Sequence, residues 1–184
     1  MKKTIVILAL LVCVFALFAG CSPAPASTTP TATLAPTATV APTADAGSSA
    51  SVATDEATLI TAAGASGSWL IVLKADLTVT KDVVVEGGVQ KDASTPGRIL
   101  AFYNQDANYV RTATYTLTVP KITIKDPSTT LKGNIIGDVY VEAPNFALVG
   151  GKITGNVYFL DAATQGTFTL DKDSSVTGTQ TIKK

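Results

Sequence analysis

Hydrophobic and polar positions fall into three regimes along the chain. Ile5 to Ala19 is an unbroken apolar run that follows Lys2 and Lys3. From Ser22 to about Thr54 no apolar period survives. Beyond that point short apolar runs and alternating triplets recur, separated by glycine and charged turns. Thr54 to Gly64 predicts one short helix. Thr54 would cap it, Asp55 and Glu56 suit its positive end, and Gly64 would end it in a left-handed conformation. Strands are predicted at Trp69–Leu73, Leu77–Thr80 and Val83–Val85, which are apolar or β-branched and bounded by turn residues. Arg98–Tyr103 and Tyr109–Val119 flank the polar segment 104–108, and this central part is expected to leave the simple pattern as an antiparallel excursion. In its second arm Tyr109, Arg111, Ala113, Tyr115, Leu117 and Val119 would share one face, and Val110 with Thr112, Thr114, Thr116 and Thr118 the other.

The C-terminal third repeats itself, and the repeat decides the expected fold. Ile122-Thr-Ile124, Phe146-Ala-Leu148 and Phe168-Thr-Leu170 read as equivalent apolar triplets. Each precedes a second unit: Ile135 to Val141 containing GDVY, Ile153 to Phe159 containing GNVY, and Val176 to Ile182. Short strands at a near-fixed period with no helix between them predict a solenoid whose levels bury apolar side chains only by stacking. The expected class is all-β: a short right-handed parallel β-helix with a small N-terminal capping helix. In this register Tyr140 stacks on Tyr158, and Gly137-Asp138, Gly155-Asn156 and Gly178-Thr179 form a ladder. Five or six levels at about 4.8 Å each make a stub roughly 25 Å tall.

The first two regimes say where such a domain would sit. A fifteen-residue apolar run is short for a membrane span, which needs roughly 20 residues. A cationic start, an apolar middle and small residues before Cys21 (Leu17-Phe18-Ala19-Gly20) resemble a bacterial lipoprotein signal. Phe18 departs from that pattern. An ordinary signal cut near Ala24-Pro25-Ala26 and an uncleaved anchor are the alternatives. The resemblance implies a signal peptide at 1–20, lipidation (palmitate and at least one further chain) at Cys21, and a location on the extracytoplasmic side of the cell membrane. Cys13 would leave with the signal, so Cys21 would be the one cysteine remaining, and acylation accounts for it. Residues 21–53 form a linker with an internal six-residue repeat, PTATLA, PTATVA, PTADAG. Its composition cannot offset ordering entropy, so it is expected to be disordered and extended. A spacer is the plain reading, and an O-glycosylated stalk the sharper one. Residues 54–184 are the folded domain.

Composition removes several functions. The chain carries 14 basic and 14 acidic residues and no histidine. No basic patch points to nucleic acid. The commonest general base and zinc ligand are missing. No cofactor is expected.

The opening of the domain, Leu59 to Val72 and then Leu77 to Val85, resembles the start of right-handed β-helix domains of the pectate-lyase-like superfamily, in which a short helix plugs the first level. The GDVY/GNVY repeats are similar to those of uncharacterised lipoproteins of Firmicutes, and more loosely to bactofilins, which form polymers. The resemblance implies a fold and not an activity, since these are packing motifs. A lyase or hydrolase would need a base or a carboxylate pair about 5–9.5 Å apart. Asp138 with Glu142, and Arg98 or Arg111, are the candidates, and no catalytic residue is assigned. Asp171-Lys-Asp173-Ser-Ser175 begins like a calcium loop but has Val176 and Ile182 where glycine and glutamate belong, so no metal is assigned. The threonine stripe from Thr112 to Thr118 resembles ice-binding arrays, with partial company in Thr78, Thr80 and Thr123.

Two groups remain as ligand-binding candidates: Tyr103, Asn104, Asp106, Asn108, Tyr109 and Arg111 in the central excursion, and Tyr140 with Tyr158 on the repeats. Aromatic and amide groups on loops suit carbohydrate. The expected function is a non-catalytic, membrane-anchored envelope module that is structural or binds a wall or extracellular glycan. The alternatives are a self-assembling module, homo-oligomeric through a β-helix end, and a carbohydrate-active enzyme.

Overall fold

The computed structural model describes residues 50–183. Its regular structure is predominantly strand, with two short helices. In chain order the elements are β1 (Ala50–Val52), α1 (Glu56–Ala63), β2 (Leu70–Val72), β3 (Leu77–Thr78), β4 (Val83–Val85), β5 (Ile99–Ala101), β6 (Tyr103–Gln105), β7 (Arg111–Thr114), β8 (Thr116–Ile124) and β9 (Thr130–Lys132). Then come β10 (Asn134–Val141), β11 (Ala147–Leu148), β12 (Lys152–Thr154), β13 (Val157–Phe159), α2 (Ala162–Gly166), β14 (Thr169–Leu170), β15 (Ser175–Val176) and β16 (Gln180–Ile182).

Apart from β6 and β7, the strands form two parallel sheets, and the chain alternates between them. The first sheet runs β1-β2-β5-β9-β11-β14. In the second, β3 and β4 pair with β8, β8 with β10, β10 with β12 and β13, and these with β15 and β16. Register makes columns of equivalent residues. Ile71, Leu100, Leu131, Leu148 and Leu170 form one column in the first sheet. In the second, Val85, Ile124, Val141, Phe159 and Ile182 form another, and Leu117, Ile135, Ile153 and Val176 a third. All belong to one core cluster or pack on it, except Leu170 and Ile182, which are exposed. Within a column each apolar side chain is covered by its neighbours on adjacent levels, so no short strand buries its own.

Several expectations are corrected in detail. The N-cap of α1 is Asp55, whose carboxylate accepts from Thr58 N at 2.8 Å, and not Thr54. Gly64 is extended (φ −65°), and it ends the helix without a left-handed turn. Ile122-Thr-Ile124 is not equivalent to Phe146-Ala-Leu148: it lies in the second sheet, in register with Val139–Val141, whereas Leu148 lies in the first. The segment 109–119 is not one strand, because the chain breaks between β7 and β8, and only β8 joins the main sheets. β6 and β7 form the expected antiparallel excursion. β1 lies within the stretch that reads as linker and pairs with β2. α2, capped by Asp161, has no counterpart among the predicted elements. Cys21 and the apolar run lie outside the described residues. No helix among the described residues is long and apolar enough to cross a membrane.

The corner between the two halves of β10 is built on glycine. Gly137 has φ +141°, and a Cβ there would sit 1.8 Å from the Val119 carbonyl oxygen. Gly155 repeats the arrangement one level on, against Gly137. The bulge that puts Val119 and Pro120 opposite Gly137 marks the same corner.

Candidate functional site

The outward face of the second sheet carries the repeat-based candidates. Tyr140 and Tyr158 are in register, with ring centroids 4.8 Å apart and planes tilted by 32°. Thr123 precedes them in the column and Thr181 follows. Two ammonium groups flank Tyr140: Lys121 Nζ lies 5.7 Å and Lys183 Nζ 5.2 Å from its ring centroid. Lys121 is also held at 2.6 Å by Asp82, which raises its pKa. Tyr140, Tyr158, Thr181, Ile182 and Lys183 line an open cleft of about 500 Å³. The ladder stops at Thr181, so the cleft opens where a third aromatic ring would stand. One wall is thus aromatic and one cationic.

A polar ladder runs beside this strip. Asp138 Oδ1 accepts from Asn156 N at 2.9 Å and Asn156 Nδ2 at 3.1 Å. Asn156 Oδ1 in turn accepts from Thr179 N and Thr179 Oγ1, both at 3.0 Å. Each side-chain oxygen thus caps the amide of the next level. Asp138, one of the two carboxylates considered as a catalytic pair, is committed to this structural role.

The hairpin candidates are brought together, but mostly spent on one another. Arg111 stacks on Tyr103, 4.5 Å from its centroid, and donates to the Gly150 carbonyl, which fastens the hairpin to the turn after β11. Asn104 donates to Tyr115 OH at 2.7 Å. Asp106 Oδ1 accepts from Asn108 N and Val110 N, both at 2.9 Å, and so shapes the tip. Tyr109 remains, 82% exposed at φ +62°. No hydrogen bond, ion pair or ring contact among the described residues links this hairpin to the Tyr140–Tyr158 strip.

The remaining candidates resolve as structure. Arg98 is fully buried, and its guanidinium donates to the Ala62, Ser68 and Gly64 carbonyls, so it is no accessible base. Its backbone N–H donates to buried Asp126 at 2.7 Å. Burial pushes the Asp126 carboxyl up and the Arg98 guanidinium down, each offset in part by the other's charge. Asp171 accepts from Gly150 N at 3.0 Å and from Ser174 Oγ, which holds its carboxyl below the usual range and makes its loop a turn. No cluster of metal-ligating side chains occurs among the described residues. The threonines make no continuous array: Thr118 stands beside Thr78, as expected, but Ile136 lies on its other side, Thr116 stands against Asn134, and Thr112 and Thr114 lie on the hairpin.

Lys121 and Lys183 join the site without having stood out in the sequence. Aligning the units that contain GDVYVE, GNVYFL and GTQTIK column by column finds Lys183, because it then stands in the position directly after the strand that carries the Tyr140–Tyr158–Thr181 column. No family model matches the chain, and no curated protein or solved structure matches it either.

Proposed function

We propose that the chain is a lipid-anchored, extracytoplasmic envelope protein. Its domain is a short right-handed parallel β-helix that binds a wall or extracellular glycan without catalysis. The alternation between two parallel sheets supports the β-helix, and the right hand follows from the rule for parallel crossovers. The apolar run before Cys21 supports the anchor.

The carrying observation for glycan binding is the Tyr140–Tyr158 stack, which ends on an open cleft instead of a third ring. Aromatic faces take the apolar face of a sugar ring, while Thr181 and Lys183 offer donors to its hydroxyls. Retention on isolated cell wall and on a glycan array tests this. The expected result is binding by wild type and a loss of tenfold or more in Tyr158→Ala, with the melting temperature little changed. Wild type that is retained on neither support refutes glycan binding. Fractionation of Cys21→Ala tests the anchor separately, and persistent membrane retention in a cleaved form would refute it.

A further inference from the structure

A second hollow opens on the strands that carry the tyrosine strip, earlier along them. It encloses about 560 Å³ and follows the corner shared by β8, β10 and the turn between β12 and β13. Thr118, Pro120, Ile136, Asp138 and Thr154 line it, over bare main chain at Gly137. Register fixes the order of one wall. Thr118 and Thr154 stand on either side of Ile136, one level away in each direction. Levels are about 4.8 Å apart, so the two hydroxyl-bearing positions lie about 10 Å apart with an aliphatic side chain between them. Ile136 is 46% exposed, whereas Ile135 and Val139 on the same strand are at 0%. Its outward side chain leaves apolar area in water that burial under a ligand would recover.

The polar groups of this groove are free to bond. Among the described residues no hydrogen bond engages the hydroxyl of Thr118 or of Thr154. Asp138 accepts both of its Asn156 contacts through Oδ1, which leaves Oδ2 without a partner among the described residues. Lys121, in register with Asp138 on β8, is held by Asp82 at 2.6 Å. An apolar patch between two hydroxyls, with a carboxylate oxygen at its border, suits a sugar ring, which has a C–H face and a rim of hydroxyls. The groove also runs into the tyrosine site. Asp138 stands two positions before Tyr140 on β10, and alternation along a strand puts both on one side. From Ile136 to Tyr140 the strand advances at most about 13 Å.

Resting on the glycan reading above, we propose that this groove is a second subsite for the same ligand. The chain then recognises an oligosaccharide laid along β10, and not a single sugar. One unit packs its C–H face on Ile136, donates a hydroxyl to Asp138 Oδ2 and bonds the Thr118 and Thr154 hydroxyls. Units further along reach Tyr140 and Tyr158. The unit in the groove is uncharged. An acidic sugar there would face the Asp138 carboxylate, and no lysine or arginine lines the groove to offset the repulsion.

A glycan array bearing neutral and uronic-acid oligosaccharides in graded lengths, probed with the full-length chain, tests this. Wild type should bind neutral oligomers more tightly as they lengthen, by about tenfold once both hollows are spanned. Thr118→Val/Thr154→Val removes both hydroxyls at nearly constant shape. It should lose about tenfold on long oligomers and nothing on the shortest one bound. Ile136→Ala should lose the same length-dependent gain, while Tyr158→Ala should weaken long and short oligomers alike. None of the three groove side chains belongs to the core cluster, so melting temperatures should match wild type. Binding that does not strengthen with length overturns the subsite and leaves the tyrosine site standing. So does a length gain that survives in both the valine pair and Ile136→Ala. A preference for uronic-acid oligomers over neutral ones of equal length overturns the uncharged unit. Wild type that binds no oligomer of any length removes the glycan reading itself, and this subsite with it.

Discussion

The Arg98 guanidinium closes the carboxyl end of α1, donating from Nη2 to the Gly64 carbonyl 34 residues back along the chain. Nη1 takes the Ala62 and Ser68 carbonyls at 2.7 and 3.0 Å. A helix end leaves carbonyls without partners, and here one buried side chain collects them. Asp126 supplies the countercharge from the next level of the stack. Arg98→Met would leave the Ala62, Ser68 and Gly64 carbonyls without their donor and Asp126 without its countercharge, though the carboxylate keeps the backbone N–H of residue 98. It should cost about 3–5 kcal/mol. Arg98→Lys keeps the charge but cannot reach three carbonyls at once, and should cost about 1–3 kcal/mol. Urea denaturation reads both; an Arg98→Met protein as stable as wild type would remove Arg98 from this role.

The glycine corner makes a sharper comparison. Gly137→Ala must strain a φ of +141° and displace a backbone oxygen 1.8 Å from the new Cβ. Gly166, at the end of α2, has ordinary φ, and an added Cβ there would meet nothing within 4 Å. Gly166→Ala should stabilise by about 0.4–1 kcal/mol through the unfolded chain. Gly137→Ala should lower the thermal midpoint by many degrees or prevent folding. Equal midpoints for the two variants would contradict the corner geometry.

These corners explain what is legible in the sequence. The register of Tyr140 on Tyr158 and of Asp138, Asn156 and Thr179 can be read directly, because a repeated sequence in a parallel stack places like beside like. The helix over residues 56–63 is legible from the acidic residues at its start and the glycine at its end, although its N-cap is Asp55 and not the threonine before it. Ile122–Ile124 is easily misplaced because a bare apolar triplet does not say which of two sheets it faces; only the following GDVY unit carries register. α2 escapes notice because its five residues have no apolar period of their own, and β1 because three residues beside a proline-rich segment look like more linker. Arg98 reads as a base because burial of a charge 34 residues from its partner leaves no local trace. The pairings within the hairpin, Tyr103 with Arg111 and Asn104 with Tyr115, are not legible either, because composition shows which groups are present and not which of them meet across β6 and β7.

Acid should expose the tie between α1 and the second sheet. Glu56 accepts from the Thr80 amide and hydroxyl, with Lys81 beside it, and its pKa falls from 4.5 to about 2. A carboxyl depressed on folding stabilises the native state above its unfolded pKa and loses that contribution as pH drops through the folded value. The window therefore runs from pH 4.5 down to about 2. Melting temperatures across this range should fall less steeply for Glu56→Gln than for wild type. The variant should also start lower at pH 6. Parallel curves would show that Glu56 is not the group responsible.

Asn156 occupies the middle rung of the polar ladder, donating to Asp138 at 3.1 Å and accepting from Thr179 N at 3.0 Å. Asn156→Asp preserves the acceptor for Thr179 and removes the donor to Asp138. Two carboxylates then face each other where an amide and a carboxylate stood. Like charges at this distance raise the pKa of the pair, and the two groups share a proton. The folded state then binds more protons than the unfolded one, so stability should rise as pH falls. Each unit of upward shift corresponds to about 1.4 kcal/mol lost at neutral pH. Asn156→Asp should therefore be less stable than wild type at pH 7 and recover part of the difference near pH 4. Asn156→Ala, which loses both contacts without adding charge, should show a deficit that changes less with pH than that of Asn156→Asp. Its damage should appear instead as faster amide exchange at Thr179, whose N–H loses its side-chain acceptor. Denaturation at the two pH values separates the variants, and a deficit in Asn156→Asp that stays constant with pH would mean that Asp138 and residue 156 do not meet across the levels.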